Sequence, residues 1–531
     1  MGSVKHEGEP LARLCASMGS TSILATMPRS VCTLCDMRSK PDGRDATWHG
    51  AEHESAVAAG EAPRTNVDPV PIPNELTLTA SGARCTLRAN YKSLSEETFM
   101  PACSRRKFLA STGSASVLAL AAPGWATRSA SAAMGPNDKF DVLIKGGDVL
   151  DPSQNLRAKR DIGIRFGMIE ALEADIPADK AQRVLWASGK LVTPGLIDLH
   201  AHVFPYGSAI GIPADELVPF QGTTTLVSAG DAGANNIAAF RRAVVGLTRA
   251  RLYAFVHIAN IGLAGFPVPE LYNIDYAQTE AAAKAVAENP DLVLGVKVRM
   301  SENVIAKHGL EPLKRAIKAC EMAGTGAKVM CHIGGVETPE LMSQILDTLR
   351  PGDVLTHSYS GAPNIGGKFT NIVQDGKLLP AALAAKQRGV MFDVGHGGGS
   401  FDYTVAEVAM PAGAGPDTIS SDIHVFSGNS PGMPYLTWVM SKFLNMGLTL
   451  EQVVAMATVN PAKIIGRSPK LGTLQVGAPA DVSLLEVVEG PVEFVDTRNN
   501  KRQGKIHLKP SGVVMAGVPY GRPYQAPFAV R

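Results

Sequence analysis

Pro194-Gly195-Leu196-Ile197-Asp198-Leu199-His200-Ala201-His202 begins on two turn residues, runs through an apolar stretch and ends on two histidines one residue apart. A short apolar run bounded in this way reads as a buried strand. Strand side chains alternate, so His200 and His202 are expected on one face with Asp198, and Ile197, Leu199 and Ala201 on the other. Two imidazoles side by side at the C-terminal end of a strand can grip one cation. Histidine pairs also arise by chance on surfaces, so the reading depends on what other strands carry at the same level.

Seven further apolar runs follow or accompany this one. In order the eight are Leu196–Leu199, Thr224–Ala229, Leu252–Ile258, Leu292–Val298, Lys328–Cys331, Val354–Thr356, Val390–Val394 and Ile419–Ser421. Each leads into a loop and then helix-like sequence, such as Thr279–Glu288, or Thr449–Ala457 with its Thr449/Gln452 capping box. Eight such units are what a (β/α)8 TIM barrel requires, so the fold class is α/β, with the barrel over 194–466. A doubly wound open sheet is the alternative, but no G-x-G-x-x-G turn follows the first strand. Asp141–Leu150 reads as two short strands around the Gly146-Gly147 turn, and Ile162–Ala171 as a strand broken at Gly167. Short strands return in Ala480–Leu485 and Lys505–Leu508, so both ends of the mature chain (133–193 and 467–531) are expected to build one small discontinuous β-sandwich module.

The same strand-end position recurs with chemistry attached. His332 and His357 end the fifth and sixth runs, and Asp422 follows the eighth. Taken singly, each histidine suits a hydrogen-bonded structural role and Asp422 a helix cap. Four histidines and a carboxylate converging on one barrel mouth suit a metal site better. In Val293–Arg299, alternation sends Leu294, Val296 and Val298 toward the helices and Gly295, Lys297 and Arg299 inward. A buried ammonium is expensive unless neutral or paired. A neutral lysine amine can take up carbon dioxide, and the resulting carbamate can bridge two cations. Without the histidines a snorkelling or ion-paired lysine would be preferred; with them the expectation is a carbamylated Lys297. Arg299, one step further along that face, is a candidate for a substrate carboxylate, with a salt bridge to a loop acid equally open. His396 in a glycine-rich loop, Tyr359 and His424 are candidates for substrate contacts, Asp198 for orienting a ligand, and His257 and His308 for structure.

The chain has 531 residues, with Lys+Arg 51 against Asp+Glu 49 and a formal charge of +2. That balance offers no surplus of positive charge for nucleic acid or an anionic membrane surface. No apolar run approaches the roughly 18 residues of a spanning helix. Five of seven cysteines precede residue 104, and the lone Cys32-x-x-Cys35 has no second pair at finger spacing, so a disulfide framework or zinc finger is not expected. Residues 1–99 lack sustained periodicity and read as a non-native or disordered extension. From Met100, Ser104-Arg105-Arg106-Lys107-Phe108-Leu109, an apolar stretch and Ala130-Ser131-Ala132 resemble a twin-arginine signal peptide over 100–132. With translation from Met100, the expected location is periplasmic.

With these residues in place, the sequence from Phe140 onward resembles the amidohydrolase superfamily in its binuclear, dihydroorotase-like branch. The matching features are His200/His202, Lys297, His332, His357 and Asp422, with Asn460-Pro461-Ala462 and Gly472-x-x-x-x-Gly477-x-x-Ala480-Asp481 at the end of the barrel. Val394-Gly395-His396-Gly397 and His357-Ser358-Tyr359-Ser360-Gly361 look most like the deacetylase group, which includes esterases of acetylated 2-hydroxy acids. The resemblance implies two divalent ions, zinc by default, joined by the Lys297 carbamate, with hydroxide between them and Asp422 as proton carrier. It implies a hydrolase of small acyl amides or esters bearing a carboxylate. A cyclic-amide hydrolase of dihydroorotase or hydantoinase type is the rival, and a non-catalytic exported binding or scaffold protein is the rival from another class. A homo-oligomer is left open.

Overall fold

A computed structural model describes residues 78–80, 83–85, 134–135, 137–361 and 369–520. The expected extension over 1–99, the export signal over 100–132 and Cys32/Cys35 lie outside the described residues, apart from a two-stranded pairing of Leu78–Ala80 with Ala83–Cys85. That pairing belongs to a separate compact unit from the rest of the chain.

Seven strands, β1 (Leu196–Ala201), β2 (Thr223–Gly233), β3 (Arg251–His257), β4 (Val293–Arg299), β5 (Lys328–His332), β6 (Val354–Thr356) and β7 (Met391–Asp393), pair in parallel in chain order. The sheet curls until residues 418–423 join its two edges. Thr418 bridges to Asp393 on β7, and Ile423 bridges to Ala201 on β1. The eighth apolar run, Ile419–Ser421, thus sits where a strand was expected but forms no regular strand, only isolated bridges at Thr418 and Ile423 on either side of it. Its hydroxyls explain the irregularity: Thr418 and Ser420 donate to Asp393, and Ser421 donates to Asp198, so side chains rather than a ladder fix this segment.

Mixed α/β order follows from local sequence. Helix Thr279–Glu288 spans the expected residues, and Leu450–Met456 carries the Thr449/Gln452 capping box with both reciprocal bonds formed. Helix Pro339–Thr348 starts where Thr338 accepts from Leu341 N–H and Pro339 needs no partner. Helix Glu311–Ala323 buries Leu313, Ala316, Ala319 and Cys320 and stops at left-handed Gly324. These faces pack on Val296, Val298, Val329 and Leu355 from the outer side of the sheet. Replacing fully buried Leu313 by alanine removes roughly 2–5 kcal/mol from this layer.

Strict alternation fails on two strands. Ile197 and Leu199 cluster with Val227, Phe255, Met330 and Val354. Met330 is the register partner of Lys297, so this is the inner face. The pairing of β1 with β2 slips between Asp198 and Ala201, which lets Ile197 and Leu199 share the interior with His200 and His202 instead of facing away. Leu294 likewise packs inward, not toward the helices. The backbone is pinched at Gly295, where a Cβ would lie 1.9 Å from the Lys328 carbonyl oxygen, and the pairing with β3 slips beside it.

Both ends of the body meet in one eight-stranded mixed sheet. Phe140–Asp151, Leu156–Arg165, Met168–Glu173 and Leu191–Pro194 join Val482–Val495, Lys501–Met515 and Val518–Tyr520, while Ala181–Trp186 pairs with Phe140–Asp151. Gly146-Gly147 is not a hairpin turn. Phe140–Asp151 runs through it as a single strand with a bulge, because Gly147 lies so close to Val192 that a Cβ would sit 2.4 Å from its methyl. The chain reverses instead at Pro152–Gln154, capped by Asp151. Among the described residues no helix is long and apolar enough to cross a membrane.

Candidate metal centre

The C-terminal ends of β1, β4, β5 and β6 deliver His200, Lys297, His332 and His357 to one buried place, joined by His202 just beyond β1 and by Asp422. Asp422 Oδ1 lies 3.1 Å from His200 Nε2 and 3.0 Å from His202 Nε2. His357 is further off, with Nδ1 4.0 Å from Asp422 Oδ2. Its ring sits edge-on to His332 at a centroid distance of 4.3 Å and tilted to His200 at 4.9 Å. His357 and Asp422 both hold left-handed backbone, at φ 64° and 50°. Non-glycine residues adopt that conformation at a cost, which is commonly met at functional sites. Gly397 leaves room for the carboxylate: a Cβ there would be 2.3 Å from Asp422 Oδ2.

Hydrogen bonds on the far side of each imidazole fix which nitrogen is bare. His202 Nδ1 lies 2.9 Å from Asp231 Oδ1, and a carboxylate only accepts, so Nδ1 holds the proton. Thr356 spends its hydroxyl proton on Asp393 Oδ2 at 2.8 Å, so His200 Nδ1 donates to Thr356 Oγ1 at 2.7 Å. His357 Nδ1 donates to the Gly395 carbonyl at 2.6 Å. Two bare Nε2 atoms therefore converge on one carboxylate oxygen. Such an arrangement repels itself unless positive charge sits between. A divalent cation with nitrogen and oxygen ligands fits the donor set, and among the described residues His200, His202 and Asp422 are the only group of its kind. In the absence of a cation a proton takes that place: burial alone would lower His202, but Asp231 and Asp422 outweigh it and raise the imidazole to about 9. Asp422 itself, despite burial, is held well below the usual carboxylate range by His200 and His202.

Lys297 is 1% exposed, and its Nζ lies 3.2 Å from His200 Nε2. Burial lowers its amine to about 8, against the opposing pull of Asp422. It therefore meets the first requirement for carbon dioxide uptake, a readily available neutral amine. His332 places Nε2 2.9 Å from Ser301 Oγ.

The remaining candidates divide. Arg299 lines the cavity, with Nη1 on both oxygens of Glu270 at 3.2 and 3.0 Å, while Nε and Nη2 make no hydrogen bond among the described residues. His424 also lines it, with its ring edge-on to His202. Tyr359 does not: its hydroxyl donates to the Ala414 carbonyl at 2.9 Å and its ring packs near Phe443 in the core. His396 does not either, being fully buried with Nε2 on Lys442 Nζ at 2.7 Å. The glycines around His396 suggested close ligand approach, but neither the His396 nor the Tyr359 side chain lines the cavity. Asp198 accepts from Ser421 N–H and His200 N–H, holding backbone beneath the site. His257 faces Glu270 at 3.2 Å and accepts from Ala259 N–H. His308 meets the Tyr272 carbonyl near the surface.

Sequence reasoning missed Asp231, Asp393, Glu270 and Lys442. Asp231 follows the second apolar run just as Asp422 follows the eighth, and that parallel was a usable signal. Glu270 lies in an irregular loop with no pattern to mark it. Burial would raise it, yet Arg299 and His257 hold it down to about 2.

His200, His202, Lys297, His332 and Asp422 open into a cavity of 340 Å³ whose apolar wall includes Ile210, Leu263, Phe266 and Phe426. A larger cavity of 690 Å³ lies beside Tyr403, Met410 and Phe494, but gathers no converging histidines or acids. Donor chemistry, not size, singles out the smaller one.

Residues 403–514 match the model of the amidohydrolase family. A deacetylase of Agrobacterium fabrum is 33% identical over 350 residues, covering 66% of this chain and 83% of that protein. A deacetylase of Enterococcus faecalis is 30% identical over 382 residues, covering 72% and 99%. Among solved structures, an adenine deaminase superposes with a TM-score of 0.65 at 29% identity and a dihydroorotase with 0.64 at 31%. Each covers 72% of this chain and 99% or more of the solved one.

Proposed function

This chain belongs to the amidohydrolase family as a metal-dependent hydrolase, and from that premise we propose that it is a deacylase, cleaving an acyl amide or acyl ester of a small carboxylate-bearing molecule. The observation that carries the reading is the meeting of His200, His202 and Asp422 in one cavity with the open donors of Arg299. Curated relatives named deacetylase support the acyl specificity. The fold reading that goes with it is an eight-membered barrel, closed by 418–423, with the one mixed sheet from both ends of the mature chain folded back on itself as a small sandwich.

His200, His202, His332, His357, Asp422 and a carbamylated Lys297 would hold two divalent ions, zinc by default. Such ions supply water made acidic enough to attack near neutral pH and a polarised scissile carbonyl. Asp422 takes the attacking water's proton on its carboxylate and delivers it to the leaving nitrogen or oxygen. Asp231 and the Thr356–Asp393 pair keep Nε2 of His202 and His200 bare throughout. Arg299, anchored by Glu270 through Nη1, turns Nε and Nη2 to the substrate carboxylate, and Phe266 and Phe426 shield the reacting bond from bulk water.

A cyclic-amide hydrolase is the second reading, favoured by the likeness to a solved dihydroorotase. A hydrolysis screen of metal-loaded protein across N-acetyl amino acids, O-acetyl hydroxy acids, lactones and cyclic imides separates them. Acetate release from the first two classes is the expected result. Ring opening of cyclic imides alone would transfer the assignment to the second reading.

A further inference from the structure

Lys442, on helix Leu436–Asn445, has no exposed surface. Its Nζ reaches His396 Nε2 at 2.7 Å, the Gly432 carbonyl at 2.8 Å and the Val495 carbonyl at 2.7 Å, so its three donors meet three acceptors. His396 Nδ1 lies 2.8 Å from the Gly397 carbonyl, which only accepts, so that nitrogen carries the proton and Nε2 is the acceptor for Lys442. The imidazole stacks on Phe401 at 4.8 Å, and Gly432 lies so close that a Cβ would be 2.8 Å from His396 Cε1. One tautomer and one ring position are thereby fixed.

What this locks is the turn at 395–397, which touches the metal centre from both sides. Gly395 provides the carbonyl that accepts a hydrogen bond from His357 Nδ1–H. Gly397 packs its backbone against the Asp422 carboxylate and donates its N–H to the Ser421 carbonyl at 2.9 Å. The glycines give this turn little stiffness of its own. Neither Lys442 nor His396 lines the metal-site cavity.

We propose that Lys442 and His396 form a buried positioning pair, in which the lysine selects the His396 tautomer and so holds the 395–397 turn that aims His357 and confines Asp422. The consequence for turnover rests on the hydrolase reading of that centre. The tautomer itself does not, and can be read without any substrate.

Imidazole ¹⁵N NMR of histidine-labelled protein, with the His396 signals assigned by their loss in His396→Gln, tests the first half. Wild type is expected to show His396 protonated at Nδ1 with a bare Nε2, and Lys442→Met to lose that preference. Protonation at Nε2 in wild type overturns the proposal even if Lys442→Met does not fold. For the second half, Lys442→Met and His396→Leu are each expected to lower kcat by about 10- to 100-fold with metal content kept and KM changed less. His396→Gln, which keeps an acceptor for the lysine, should recover most of the loss. The double variant should be no slower than the slower single one. A Lys442→Met protein with wild-type kcat, or single effects that multiply in the double variant, overturns the positioning role.

Discussion

Two buried aspartates face opposite situations in this chain. Asp161, in the small sheet, receives Lys145 Nζ at 2.7 Å and the N–H groups of Gly146 and Ile176 at 2.7 and 2.8 Å. Every charge and donor it needs comes from the chain, and its backbone lies in a regular strand. Asp422 receives two imidazole nitrogens whose protons are already committed elsewhere, on backbone at φ 50°. The first carboxylate completes a structure. The second is left needing a cation that the chain does not provide, which is how a site differs from a scaffold in one and the same body.

The contrast is tested most severely at Asp422. Asp422→Asn is expected to lower kcat roughly a thousandfold, with thermal stability unchanged or raised, because the amide cannot carry a proton. Calorimetry beside steady-state kinetics reads both. Activity kept within a few-fold would make Asp422 another Asp161. Lys297→Ala comes next, with an expected loss of at least about a hundredfold and lowered metal content. Formate, acetate or propionate should restore part of both, since the missing group is a carboxylate on a tether; an ion-paired lysine gives no such rescue. The smallest effect belongs to the small sheet. Asp161→Asn is expected to lower Tm by several degrees while kcat at lower temperature stays at wild type.

The pH dependence of Asp161 has a definite sign. Burial alone would raise its carboxyl, but Lys145 and the Ile176 and Gly146 N–H groups hold it below its ordinary 3.8. The unfolded chain then takes up the proton first, so this contribution is present above about pH 4 and is lost as pH falls below it. Melting curves of wild type should approach those of Asp161→Asn in that acid range.

The course of the chain was legible wherever periodicity and strand ends coincide. The first seven apolar runs became strands in order; His200, Lys297, His332 and His357 meet because they stand at or near strand ends, and the irregular segment 418–423 brings Asp422 beside His200 and His202. What escaped the sequence has physical causes. The slips beside Asp198 and Gly295 come from close backbone approach, which alternation cannot anticipate. Tyr359 and His396 sit in turns beside the site, yet the turns aim them into the core, onto Ala414 and Lys442. Partners such as Asp231, Asp393 and Glu270 are chosen by proximity across strands and loops, not by spacing along the chain.

Hydrolysis at the centre of His200, His202 and Asp422, as proposed, requires bound cations there. Metal stripped by chelation, then returned by zinc titration while acetate release from an acetylated acid is followed, tests it directly. Expected are loss of turnover in the stripped protein, recovery that saturates at two ions per chain, and no recovery in a His200→Ala/His202→Ala variant. Undiminished turnover in protein verified to be metal-free, or full recovery in that variant, would contradict it.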